Sequence, residues 1–147
     1  MVKLVTSYFF DNSESVLLNT IRWRGDSCLE EFWTDNSSHC YPDLSLYVLT
    51  DRGTLSAAEE FSYNLQCLER AVLIGEATGG AAHPCRLFGL TAELSVAIPI
   101  GEAINPITNK NWEQGGVIPD INTNSDNALK VALKRLGLPE EAHTAIQ

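Results

Sequence analysis

No stretch of the chain holds the ~18 consecutive apolar residues that a membrane-spanning helix requires, so no membrane insertion is expected. Basic residues are few: ten Lys and Arg stand against nineteen Asp and Glu, for a net charge of −9. The ten are also scattered. Nucleic-acid binding needs clustered cations to neutralise phosphates, and is therefore not expected. Cysteine is limited to Cys28, Cys40, Cys67 and Cys85, with no CxxC spacing of the zinc-finger or ribbon kind, so no metal site is expected. Their even number permits disulfides without requiring them, and the redox compartment stays open. Gly79-Gly80 lacks the lysine that follows in a phosphate-binding loop, and no cofactor is implied. Met1 to Phe10 is apolar but has neither a basic n-region nor a small-residue cleavage site, so it does not read as a signal peptide.

What is there suits one soluble globular domain over residues 1–147, with 44% apolar and 20% charged residues. Val2, Val5, Tyr8 and Phe9 recur at helical spacing, which suggests a chain that begins inside a helix, with an upstream part missing. Val16–Arg24 and Leu29–Thr34 flank Gly25-Asp26-Ser27 as a hairpin. Trp23, Phe32 and Trp33 on it are expected to serve core or cross-strand packing. Residues 35–42 read as a polar loop. Leu44–Thr50 reads as a buried parallel strand, Leu55–Arg70 as a helix with its apolar stripe at Ala58, Phe61, Leu65 and Leu68, and Ala71–Gly75 as the next strand. Together they form a βαβ unit. Arg86–Leu90 and Leu94–Pro99 suggest a second strand pair. A loop follows, then a short strand near Val117-Ile118 and a last helix capped by Ser125. The fold class is α/β, layered.

Ser56 stands at the mouth of the helix that follows the first parallel strand. A helix start leaves N–H groups unpaired and carries partial positive charge, which stabilises an oxyanion. The Ala57 N–H is the nearest donor. Ser56-Ala57-Ala58-Glu59 equally matches a capping box, in which Ser56 and Glu59 only satisfy backbone amides. Thr54 is an alternative cap. Local pattern leaves these readings open. Adjacent Glu59 and Glu60 point apart on a helix and read as capping or solvated surface.

The segment YVLTDRGTLSAAEEFSYNLQCLERAVLIGEATGG (47–80), followed by Ala82-His83-Pro84 and by IPIGEAINPITNKNWEQGGVIPDI (98–121), resembles the tail-specific (carboxy-terminal processing) serine peptidase family. The similarity is narrower to its interphotoreceptor retinoid-binding protein-like and tricorn-like branches. SYFFD at 7–11 and the Ile21–Thr34 hairpin also fit, so the resemblance runs from about residue 4 to 136. It implies a Clp protease/crotonase-like layered ββα domain, peptide-bond hydrolysis of a polypeptide substrate, Ser56 as nucleophile, and the Ala57 N–H in the oxyanion hole. Gly79 and Gly80 would help line the substrate and oxyanion site.

Two departures matter. Ala81 stands where the processing branch carries the lysine of its T-F-G-K-G motif, which excludes a Ser–Lys dyad. Glu113 resembles the glutamate of the tricorn-like branch and would orient a base. The family's histidine comes from an upstream segment absent here, as does the strand end supplying the other oxyanion donor. His83, before a proline in a glycine loop, is either the base or structural, while His39 and His143 read as solvated. The competing function is a non-catalytic module binding a retinoid or other apolar ligand, or an inactive fragment. An exposed apolar face on the first helix would favour homo-oligomers.

Overall fold

The computed structural model of the protein describes residues 2–35 and 39–139. A short helix α1 (Val2–Ser7) precedes the antiparallel hairpin β1 (Leu17–Trp23) and β2 (Leu29–Trp33). Next come β3 (Tyr47–Thr50), α2 (Ala57–Cys67) and β4 (Val72–Gly75), the expected βαβ unit, with β3 and β4 parallel. A second hairpin, β5 (Cys85–Gly89) and β6 (Ser95–Pro99), leads directly into β7 (Gly101–Ile104). A two-residue β8 (Ile121–Asn122) and helix α3 (Ser125–Arg135) complete the described chain. The strands form three sheets, ordered β2-β1-β7, β3-β4-β8 and β5-β6. The α/β class expected from the sequence holds.

The core lies where α2 meets these sheets. Leu65 on α2 and Leu73 on β4 are wholly buried and pack with Ala103, Trp112 and Val117. Ile74 faces the other way, against Ala128 and Ala132 of α3. Burying each such aliphatic side chain contributes ~1.5–3 kcal/mol. Gly75 closes β4 at φ +139°, and a β-carbon there would run into the Thr50 carbonyl. Only glycine lets the ends of β3 and β4 approach so closely, directly beneath the turn that carries Ser56.

Several elements depart from expectation. The α2 face turned inward is polar as well as apolar: Glu59, Ser62 and Asn64 are buried beside Leu65, whereas Ala58 is exposed. The strand expected near Val117 lies at Ile121–Asn122, where it pairs with Ile74 and Gly75. β7, expected as loop, is held by its pairing with β1. Asn124, not Ser125, caps α3, its side chain accepting from the Asp126 N–H at 2.9 Å. Of the two roles expected for the hairpin tryptophans the core one does not hold, since Trp33 is exposed and Trp23 half-buried, while the Trp23 indole N–H does reach across the hairpin to Glu30 at 2.6 Å. On α1 it is Thr6 and Ser7 that are buried, while Leu4, Val5 and the adjoining Tyr8 face outward. Arg70 ties this end down through the carbonyls of Phe9 (2.6 Å) and Tyr41 (2.8 Å). Among the described residues, no helix is long and apolar enough to cross a membrane.

Candidate active site

Ser56 occupies the N-cap of α2 with φ 55° and ψ −117°. This is the conformation of the first central residue in a type II′ turn, where glycine is usual. Holding a residue with a β-carbon there costs ~1–3 kcal/mol and requires a rigid surround. Ser56 is exposed, and its side chain makes no N-cap hydrogen bond. The Glu59 N–H faces it as in a capping box, but short of bonding geometry. The other half of the box is made: Glu59 Oε2 accepts from the Ser56 N–H at 2.8 Å. Thr54 does not cap the helix. Its hydroxyl bonds within the turn, to Asp51.

Glu59 supplies the rigid surround. The side chain has no solvent contact, so of its two expected roles the capping one holds and the solvated-surface one does not. Beyond Ser56, Oε1 accepts from the Thr78 hydroxyl (2.5 Å) and the Gly80 N–H (2.6 Å), and Oε2 from the Ala81 N–H (2.9 Å). Burial pushes this carboxyl up, but the Thr78 hydroxyl and the Ala81, Gly80 and Ser56 amides outweigh it and hold the group below its ordinary value. The charged form is thereby fixed as a four-way clamp between the mouth of α2 and the 78–81 loop. Thr78 extends the clamp, its Oγ1 also accepting from the Val117 N–H at 2.7 Å.

The clamp revises one expectation. The Gly80 N–H is spent on Glu59, and the Gly79 N–H donates to the Thr54 carbonyl at 3.0 Å. Neither amide is therefore free to stabilise an oxyanion, and both glycines act by shaping the loop. The Ala57 N–H, in the first turn of α2, has no acceptor within its own helix.

The same loop brings His83 and Glu113 together. Glu113 Oε2 accepts from the N–H groups of Ala82 (2.8 Å) and His83 (3.2 Å) and lies 3.5 Å from His83 Nδ1. Both side chains are partly exposed. His83 lines a cavity of about 410 Å³ together with Ser56, Ala57, Ala81, Glu60 and Asn19. The cavity thus unites the candidate nucleophile, the candidate base and the site of the missing lysine. His39 is exposed, and His143 lies outside the described residues. All four cysteines are free thiols, and burial raises that of Cys67.

An exposed serine on a strained helix start thus lines one cavity with an imidazole that lies 3.5 Å from a carboxylate, the residue types serine hydrolases draw on. Comparison with known proteins narrows the class. The sequence model of peptidase family S41 matches residues 4–123. The carboxyl-terminal-processing protease of Synechocystis sp. is 31% identical over 107 residues, which cover 73% of this chain and 24% of that protein. The chain therefore belongs to peptidase family S41. Solved structures agree in fold. The photosystem II D1 C-terminal processing protease matches with a TM-score of 0.65 at 24% identity, over 83% of this chain and 30% of that one. A candidate S41 protease of Bacteroides fragilis matches with a TM-score of 0.72 at 22% identity, over 92% and 40%. The chain spans between about a quarter and two fifths of the length of these relatives.

Proposed function

We propose that the protein acts as a serine-type peptidase on a polypeptide substrate. The observation that carries this reading is the exposed, strained Ser56 lining one cavity with His83, whose Nδ1 lies 3.5 Å from Glu113. Ser56 Oγ attacks the substrate carbonyl and passes its proton to His83 Nε2. The oxyanion so formed takes the Ala57 N–H, and the His83 imidazolium is stabilised by Glu113. His83 then returns the proton to the departing amine as the C–N bond breaks, which leaves an acyl group on Ser56. Water, deprotonated by the same imidazole, hydrolyses the ester and restores the serine.

Fluorophosphonate treatment of the full chain, followed by peptide mapping, tests this. A single adduct on Ser56, lost in Ser56→Ala, is expected. A folded protein left unlabelled at Ser56 rejects the reading. Association of copies through Leu4 and Val5 of α1 and the adjoining Tyr8 belongs to the same proposal. Sedimentation over a concentration series reports on it, and a monomer throughout removes that part.

A further inference from the structure

One group in the Ser56 cavity has no part in the chemistry above. Glu60 follows Ser56 by one helical turn, and its N–H bonds to the Ser56 carbonyl at 2.9 Å. The two residues therefore share a face of α2, and both line the same cavity. Glu60 is half-buried, and desolvation raises its carboxyl above the ordinary value, against the lowering effects of a hydrogen bond from Asn19 and of the positive charge at the chain's N-terminus. A carboxylate kept partly from water gains from a cation brought to it.

Asn19 adds a second observation. Its side chain is 1% exposed, it lines the cavity beside Glu60, and its Oδ1 has no hydrogen-bond partner. Its carboxamide instead bonds to the Glu60 carboxylate and so helps to hold it at the polar end of the cavity. Among the described residues lining the cavity, Glu60 is the one carboxylate, and none is lysine or arginine. Ile21, Ala103 and Trp112 provide apolar wall, against which a long aliphatic stem can lie while its charged head reaches the polar end. The net charge of −9 attracts cationic chains before contact is made.

We propose that this cavity is a specificity pocket for a lysine or arginine side chain of the substrate, with Glu60 as its recognition carboxylate and Asn19 as the residue that positions it. The inference rests on Ser56 being the nucleophile. It adds what that reading leaves open, the kind of residue presented to Ser56.

The test compares rates of Ser56 adduct formation in the full chain. The reagents are an undirected fluorophosphonate and three aminoalkyl phosphonate esters carrying lysine-, leucine- or glutamate-type side chains. The lysine-type probe is expected to label about tenfold faster than the leucine-type probe, with the glutamate-type slowest. In Glu60→Gln the lysine-to-leucine ratio should fall close to one. Because both rates are read on the same folded molecules, a partly unfolded variant does not distort their ratio. Equal or inverted lysine and leucine rates, with fluorophosphonate labelling intact, overturn the pocket and leave the Ser56 reading standing. A folded protein that no probe labels overturns both.

Discussion

Ala81 and Cys85 are close in sequence, yet the segments they belong to are held in different ways. Around Ala81 the loop is pinned by Glu59, which takes four donors at 2.5–2.9 Å with no solvent contact. From Cys85 onward β5 and β6 pair only with each other, and every residue of both strands is exposed. Leu87 is 73% exposed. A lone two-stranded hairpin is marginal in water, so β5–β6 draws little stability from its own side chains. The contrast separates two sources of order. Near Ser56, geometry comes from buried hydrogen bonds converging on one charge; in the hairpin it comes from the ladder alone.

Glu59→Gln breaks the contrast most severely. It sets an NH2 group against donors that now face an oxygen, and a loss of about 3–5 kcal/mol in urea unfolding is expected. Fluorophosphonate labelling of Ser56 should fall with it. Acid sharpens the same result. The Glu59 carboxyl is held below its ordinary value of 4.5 in the folded protein. Its contribution is thus complete above that pH and is lost as pH drops toward the folded value. Wild type and Glu59→Gln should therefore converge in stability on acidification, and parallel curves would contradict the clamp.

Glu113→Gln is the next effect in size. It keeps an acceptor for the Ala82 and His83 amides but removes the charge beside His83 Nδ1. Peptide hydrolysis or Ser56 labelling should fall roughly 10²-fold with stability nearly unchanged. A loss of stability in step with activity would make Glu113 structural. Leu87→Ser is the smallest, within about 0.5 kcal/mol of wild type by thermal or urea unfolding. A larger loss would mean that the hairpin is covered after all.

Periodicity made much of this fold legible, because the βαβ unit and both hairpins carry their patterns locally. β7 escaped because Gly101-Glu102-Ala103-Ile104 has no strand signature of its own and is fixed by its neighbour β1. The site divides similarly. Ser56 could be read from its place at the head of a helix and from the resemblance of its motif. Glu59 was visible only as a capping residue, since just one of its partners is local. The others lie 19 to 22 positions away, in a loop whose conformation no local pattern encodes. The approach of His83 to Glu113, 30 residues apart, depends on that loop too.

The backbone at Ser56 also makes the residue a gauge of its own constraint. Alanine at 56 would keep the unfavourable torsion and lose the hydroxyl, whereas glycine would lose the hydroxyl and relax the torsion. A Ser56→Gly chain more stable than Ser56→Ala would measure how tightly the surrounding network holds this one residue in place. It would also show that a β-carbon at this position works against folding.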